Sequence, residues 1–400
     1  MSNTPPPAGA KVRRPRRPGS QTALRQLNRD RIVGALAANG PLTQADLSRR
    51  TGLSAATVSN IVRLMIEDGA AAAEQITSSG RRAAAIRLLS DGEVVVGIDF
   101  GRRHARVVVV NPGYEVLGEA AIELPLGYPA MEGVDAAARV LRELLAHEHL
   151  ENATVLGIGL GIPGPIDRRT STVVQGTILP EWLGVTREDL EIRLGHPVLL
   201  DNDANLGALA EVTWGAHSAV DNLLFVKIGS GIGSGLIIDG RPYYGHTGVT
   251  GEIGHMAIDD YGAVCHCGNR GCLETVASTT VMMGLLSRSS PGLVTTGDIV
   301  QRALEGDAGT LRVLDDAGAA IGKALGSVAN FVNPAVIVIG GPLADVGPVI
   351  TEPIARSMRR HAIPLVGEAT IVTTSSLGAR AEALGGASLA LRHARAAAPA

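Results

Sequence analysis

The 400-residue sequence predicts an α/β protein in two parts, a small winged helix-turn-helix head and a larger two-lobed body. Three observations lead there. Charge is divided along the chain: residues 1–90 hold 14 Lys and Arg against 5 Asp and Glu, whereas residues 91–400 hold 22 against 34. Within the basic part, helical apolar spacing is interrupted by a glycine turn. Within the acidic part, one strand–turn–strand pattern occurs twice, at 95–111 and at 223–240. A basic head on an acidic body suggests that the head meets a polyanion; the plainer alternative is a charged, solubilising segment.

Length and composition set the bounds. The chain has room for two or three domains and an ample core. Ala and Gly are abundant, Leu and Val follow and aromatics are scarce, so the core is built largely from small and branched aliphatic side chains. No apolar run reaches the roughly eighteen residues of a membrane helix, and the N-terminus has no apolar segment of the kind a signal peptide needs. Three cysteines cannot pair completely, and their spacing suits metal better than a disulfide framework. The expected location is the cytoplasm, with no membrane partner.

Residues 1–20 are rich in Pro and Arg, with KVRRPRRP at 11–18, and bury too little to offset the entropy of ordering. They are expected to form a disordered basic arm, either adding phosphate contacts or serving as a solvated tail. Residues 21–90 form the head. Leu24, Leu27, Ile32, Val33 and Leu36 space one apolar face of a first helix that ends at Gly40-Pro41. Thr43 can cap a second, with Ala45 and Leu47 inward, and Gly52 breaks the chain. Ser54 can cap a third helix, whose buried face carries Val58, Ile61, Val62 and Met65. Thr57, Ser59, Asn60 and Arg63 lie opposite. A short helix, a tight turn and a helix with a small, polar outer face make a helix-turn-helix, and such a face fits the major groove. Asn and Arg reach base edges there, while Thr and Ser suit phosphates or thymine methyls. Two strands around Ser79-Gly80 then form a wing with Arg81 and Arg82 near its tip. The competing reading is a plain three-helix bundle.

Residues 91–400 form the body. After the first strand pair come a short strand, a helix near 131–148 and the strand VLGIGLGIPG. After the second come the cysteine-bearing insertion, helices near 276–288, 297–306 and 309–332, and the strand AVIVIGG. A duplicated α/β unit implies two lobes with a cleft between them. The turn containing Gly229, Gly231 and Gly233 allows close backbone approach and is a candidate phosphate cradle. The first-lobe turn, Asp99-Phe100-Gly101-Arg102-Arg103-His104, is a poorer one. PVLLDNDANLGALAE at 197–211 reads as a buried strand ending in Asp201-Asn202-Asp203 before a helix. Carboxylate and amide at a strand's C-terminal end suit a ligand site, although Asp203 can also cap the helix.

All three cysteines lie in one stretch, about 250–275, TGEIGHMAIDDYGAVCHCGNRGCLET. Cys265, Cys267 and Cys272 follow His255, and Glu252 and Glu274 bracket the cluster. Thiolates and an imidazole at short spacing are what a tetrahedral zinc site requires.

With these residues in hand, the sequence resembles the ROK family of bacterial repressors, open reading frames and sugar kinases. The resemblance rests on the winged helix-turn-helix, GIPGPID, DNDAN, KIGSGIGSGLIIDG, GEIGHM followed by CHCGNRGCLE, and NPAVIVIGG. It implies an actin-like (ribonuclease H-like) two-lobed fold with sugar bound in the cleft. It implies a structural zinc held by His255, Cys265, Cys267 and Cys272, with His266 an alternative ligand that its place between two cysteines makes awkward. It implies sugar contacts from Asn202, Asp203, Glu252, His255 and Glu274, with Asp203 as general base if the chain is a kinase. His255 would serve both metal and sugar, one ring nitrogen to each. Two departures stand out. The first-lobe turn lacks the Asp-x-Gly-Gly-Thr pattern that serves ATP in the family's kinases, which counts against ATP. Ile178 stands before Leu179-Pro180 where the kinases often carry Asn. The resemblance therefore implies a sugar-responsive, DNA-binding transcriptional regulator, in the usual case a repressor of carbohydrate genes, acting as a homodimer or higher homo-oligomer on a palindromic operator. The alternative is an ATP-dependent sugar kinase with an appended DNA-binding head.

Overall fold

The computed structural model describes residues 28–29, 31–36, 39, 41–67, 71–78, 81–88, 92–174, 178–288 and 295–397. The expected basic arm, Leu24, Leu27, the wing tip at Ser79-Gly80 and Gly40 lie outside them. The chain divides into two compact units between Leu89 and Ser90.

In the head, residues 31–36 are helical and bury Ile32, Val33 and Leu36. Strand β1 (Leu42–Thr43) leads into helix α1 (Gln44–Thr51). Thr43 caps α1 by accepting the Asp46 amide at 3.2 Å, and Gly52 ends it in the left-handed conformation at φ 69°. Helix α2 (Ala55–Glu67) is capped by Ser54, whose hydroxyl accepts the Thr57 amide at 3.2 Å. Val58, Ile61, Val62 and Met65 are buried, as their helical spacing predicts. Ala45 is the exception: it is exposed, and Leu47 alone on α1 is buried. In so short a helix only one position per turn reaches the core, and Ala45 lies in the first turn on the outer side. Strands β2 (Ala71–Ser78) and β3 (Arg81–Leu88) pair antiparallel, and β1 adds to β3 through Leu42 opposite Ile86. That is a wing anchored to the helical core.

The body contains two five-stranded sheets of the same topology. The first has the order β10-β7-β4-β5-β6. It comprises β4 (Glu93–Gly101), β5 (His104–Val110), β6 (Val116–Glu123), β7 (Thr154–Ile162) and β10 (Val198–Asn202), while β8 (Ile166–Asp167) and β9 (Thr172–Val173) make a small ribbon. The second has the order β13-β12-β11-β14-β15. Its strands are β11 (Leu223–Ile228), β12 (Ile232–Ile238), β13 (Arg241–Pro242), β14 (Val336–Gly340) and β15 (Ile371–Thr374). In each, three antiparallel strands come first and two parallel strands add beyond the first of them. The repeat read from the two strand pairs is therefore a repeat of whole sheets.

Helix α3 (Ala130–His147), with α4 (Arg187–Leu194), closes the core of the first lobe. Helix α5 (Asp203–Glu211) packs on β11 and β12 of the second. Beyond the cysteine loop, α6 (Glu274–Ala277), α7 (Thr279–Leu286), α8 (Thr296–Leu304), α9 (Ala308–Val332) and α10 (Pro348–His361) close the second lobe's outer core, with α11 (Pro364–Ala369) against α10. Helix α12 (Ala381–Ala397) then returns to lie on β4 and β7, against α5. A third apolar cluster joins α5, α12 and residues of both sheets. Small side chains make that close contact possible. A Cβ on Gly97 would meet Ala383 O at 1.8 Å, and one on Gly385 would meet Leu206 O at 1.9 Å. The strands' C-terminal ends, and with them Asp99, Asn202 and Ile228, thus gather around the N-termini of α5 and α12.

Candidate functional site

The junction of β10 and α5 comes first. Asn202, not Asp203, caps α5: its side-chain oxygen accepts the amides of Ala204 and Asn205, and its Nδ2 donates to Gly164 O at 3.0 Å. This ties the GIPGPID loop to the helix start and commits much of the Asn202 amide to structure. Asp203 instead points its Oδ2 at Lys227 Nζ, 2.9 Å away, while its Oδ1 accepts the Ala204 amide. Asp201 faces the other way and is buried, receiving Arg168 at 2.9 Å and Asn205 Nδ2 at 3.0 Å. Burial, countered by Arg168, holds its carboxyl above the usual aspartate range. The Arg168 guanidinium lies 3.6 Å above the Tyr244 ring, which fixes the loop after β13 against the same strand end.

The first-lobe turn is filled by its own side chain. His104 Nε2 lies 3.1 Å from Asp99 Oδ2, and its ring covers Gly101 so closely that a Cβ there would meet His104 Cε1 at 2.2 Å. The imidazole, rather than Arg102 or Arg103, thus covers the backbone at Gly101.

The cysteine stretch is a small knuckle. His255 ends a 3-10 turn, Ile253–His255. Cys265 N donates to Asn269 O at 2.7 Å and Gly268 N to Cys265 O at 2.9 Å, with Gly268 at φ 94°. His255, Cys265, Cys267 and Cys272 then offer four ligand atoms within 4.8 Å of one another. The individual edges are informative. Cys267 Sγ and Cys272 Sγ are 3.7 Å apart, and Cys265 Sγ is 3.6 Å from His255 Nδ1. A tetrahedral zinc ion with ordinary bond lengths sets sulfur–sulfur edges of about 3.8 Å and sulfur–nitrogen edges of about 3.6 Å. The residues therefore fit zinc in a closed, structural site with no open position for water. Burial and then the other thiols push Cys272 up to about 12, a crowding that a divalent cation would relieve. His255 turns Nδ1 to the cysteines and Nε2 outward, 3.8 Å from Glu252 Oε2. His266 belongs to a second, three-residue grouping with Cys265 and Glu274, and its Nε2 lies 3.2 Å from Glu274 Oε1. The four-residue set alone supplies a complete tetrahedron.

Glu274 links this knuckle to the glycine turn. Its Oε2 accepts the Ile232 amide at 3.1 Å. A Cβ on Gly231 would meet Glu274 Oε2 at 2.4 Å and Ile178 Cδ1 at 2.7 Å. The bare backbone at Gly231 thus makes room for a carboxylate and an apolar side chain. A Cβ on Gly233 would meet Ala204 Cβ at 3.4 Å, and the nearest atom to a Cβ on Gly229 would be Gly231 O at 3.9 Å. An acidic group therefore stands beside the middle of the glycine turn. Burial first, then repulsion from Asp203 and Glu274, holds the Glu252 carboxyl above the usual glutamate range. Asp203, Glu252, His255 and Glu274 are accordingly brought into one acidic neighbourhood, with Asn202 at its edge.

In the head, Ser59, Asn60 and Arg63 are exposed and Thr57 is half-buried. Arg63 donates to Asn60 Oδ1 at 3.0 Å, so the two side chains suited to base edges already lie side by side. Arg81 and Arg82 open β3 opposite Ser78 and Thr77.

Sequence reading missed Lys227, Arg168, Tyr244 and Glu382. Lys227 did leave a signal, a lone cation in the otherwise apolar strand LLFVKI. Its Nζ lies 3.0 Å from Glu382 Oε1 as well as 2.9 Å from Asp203. Burial opposes its charge, but Asp203, Glu382 and Asp99 outweigh it and hold Lys227 well above the usual lysine range.

The sequence model of the ROK family matches residues 95–393, and that of the MarR family matches residues 31–82. A putative xylose repressor of Caldicellulosiruptor sp. (strain Rt8B.4) is 30% identical over 383 residues, covering 92% of this chain and 96% of its own length. A glucokinase of Halalkalibacterium halodurans is 31% identical over 307 residues, covering 73% of this chain and 93% of its own. The crystal structure of a ROK family transcriptional regulator, a homolog of the E. coli MLC protein, superposes with a TM-score of 0.71 at 26% identity, covering 93% of this chain and 96% of that one. Among the described residues no helix is long and apolar enough to cross a membrane.

Proposed function

This chain belongs to the ROK family, and from that premise we propose that it is a sugar-responsive transcriptional repressor of carbohydrate genes, working in the cytoplasm. The observation that carries the reading is the joining, in one chain, of a winged helix with a polar outer face to a two-lobed body that gathers Asp203, Glu252, His255 and Glu274. Those carboxylates and the imidazole suit the hydroxyls of a sugar, and the zinc knuckle holds His255 and Glu274 in a loop with little core of its own. Sugar changes DNA affinity only if it binds one arrangement of the body better than another. A homodimer would present two recognition helices to a palindromic operator.

The 31% identity to a glucokinase, with Asp203 in place, supports a second reading as an ATP-dependent sugar kinase carrying a DNA-binding head. His104 over Gly101 and Lys227 on Asp203 weigh against it. A general base must be free to take the proton of the attacked hydroxyl.

One pair of assays separates the readings. Duplexes selected from a random library supply an operator, whose binding is followed by fluorescence anisotropy during titration with pentoses and hexoses that include D-xylose and D-glucose. The same sugars are tested for ATP-dependent phosphorylation. A repressor loses operator affinity with one sugar and turns over none. Turnover that vanishes in Asp203→Asn, with sugar-blind DNA binding, would replace the repressor by the kinase.

A further inference from the structure

Helix α2 turns one stripe of its surface away from the buried core of the head. Ala56, Ser59, Asn60 and Arg63, spaced i, i+3, i+4 and i+7, are all exposed on it. Thr57, beside them, is held back: its hydroxyl oxygen lies 2.9 Å from that of Ser54, which caps the helix. Ala56 and Ser59 are short. Of the four, Asn60 and Arg63 have the length to reach a base edge from a helix in the major groove. These two side chains are joined, since Arg63 Nη2 donates to Asn60 Oδ1 at 3.0 Å. A guanidinium carries donors and no acceptor, so the amide atom turned to it is the oxygen, and the amide nitrogen is turned away. Among the described residues Asn60 Nδ2 makes no hydrogen bond.

The pairing decides what the amide can read. An asparagine recognises adenine with both ends at once, its oxygen accepting from N6 and its nitrogen donating to N7. Here the oxygen already serves a cation, and an acceptor polarised by one donor is a weaker partner for a second. What remains is a pair of N–H donors beside a positive charge. Guanine alone shows two adjacent acceptors, N7 and O6, in the major groove; adenine shows an acceptor next to a donor, thymine one acceptor and cytosine a donor. On the footing that the head binds an operator, as the repressor reading requires, we propose that Arg63 is a positioning residue that makes Asn60 a donor-only reader, and that the pair selects guanine at the base pair Asn60 meets.

The test uses the full-length protein supplied with zinc, and operators selected from random duplexes in parallel for wild type, Asn60→Ala, Arg63→Ala and Arg63→Lys. Comparing wild type with Asn60→Ala identifies the base pair that Asn60 reads. The wild-type operator should carry guanine there. Replacing that guanine by 7-deazaguanine, which lacks the N7 acceptor, should weaken wild-type binding at least about fivefold by fluorescence anisotropy and leave Asn60→Ala little changed. Arg63→Ala releases Oδ1, so its selected duplexes should exchange guanine for adenine at that pair; loss of a mere phosphate contact would lower affinity and keep the base. Arg63→Lys still offers a cation to the oxygen and should keep guanine. Scanning every guanine of the wild-type operator with 7-deazaguanine needs no variant, and indifference at all of them overturns the proposal. So does another base at the Asn60-dependent pair, the absence of such a pair, or an unchanged guanine preference in Arg63→Ala. Each of those results leaves the repressor reading standing. Selection of no duplex above random DNA removes that reading, and the guanine assignment with it.

Discussion

Replacing Cys265 by Ala removes one corner of a tetrahedron that the structure draws with edges of 3.6 and 3.7 Å. Structural zinc binds with an apparent free energy of about 10–16 kcal/mol; divided over four ligands, one thiolate accounts for ~2.5–4 kcal/mol, or roughly a hundredfold to a thousandfold in zinc affinity. The consequence spreads through His255 and Glu274. His255 Nδ1 faces Cys265, and its outward Nε2 lies 3.8 Å from Glu252. A zinc ion bound through Nδ1 would fix the ring in that orientation more firmly than these contacts do alone. Glu274 follows Cys272 by two residues and grips the Ile232 amide at 3.1 Å, so a slack knuckle also loosens the glycine turn. Sugar affinity should fall at least about tenfold, ~1.4 kcal/mol. The head keeps its own buried core, including Ile32, Leu47, Val58 and Met65, and operator affinity without sugar should stay unchanged. Zinc is measured by release to a colorimetric chelator, sugar binding by isothermal titration calorimetry and DNA binding by fluorescence anisotropy. If the metal leaves and sugar affinity stays, the knuckle is a staple only, and the shared role given to His255 is wrong.

Gly231→Ala puts a methyl 2.4 Å from Glu274 Oε2 and 2.7 Å from Ile178 Cδ1, so the carboxylate must leave the Ile232 amide. A hydrogen bond to a charged acceptor contributes about 1.5–3 kcal/mol, and calorimetry should show sugar affinity down by roughly tenfold or more; wild-type affinity would remove Glu274 from the ligand site. Arg81→Ala with Arg82→Ala should weaken DNA binding broadly and flatten the plot of log affinity against log salt by up to about two units, and an unchanged slope would refute the wing assignment. Glu211 is buried, and burial first, then Glu382, hold it above the usual glutamate range against the lowering effect of Ser375. A carboxyl raised in this way stabilises the fold below its unfolded value, and that contribution is lost as pH rises through its folded value. Glu211→Gln removes the loss, about 1.4 kcal/mol for each tenfold gain in proton affinity on folding, so the melting temperature of the variant relative to wild type should climb as pH rises above the ordinary glutamate range. Parallel melting curves would show that Glu211 does not titrate in the fold.

What the sequence by itself determined is what neighbouring residues decide between them. Thr43, Ser54 and Gly52 bound their helices because capping is settled within a few residues. The two strand pairs revealed the duplication because buried strands are continuous apolar runs wherever they occur. The cysteine spacing pointed to a cluster of thiols because a tight knuckle brings them together almost regardless of the rest. Ala45 shows where local pattern runs out, since a short helix has too few turns for periodicity to say which small residue faces in. Asn202 shows it again: either it or Asp203 could have capped α5, and the Gly164 carbonyl and the Lys227 ammonium, both distant in sequence, assign one to structure and the other to the charged junction. Only the tertiary structure placed His104 over Gly101, Glu274 against Gly231, and Asp203 and Glu382 around Lys227. Those meetings depend on two sheets and two helices closing on one another, and charges that act through space leave no periodicity in the chain that carries them.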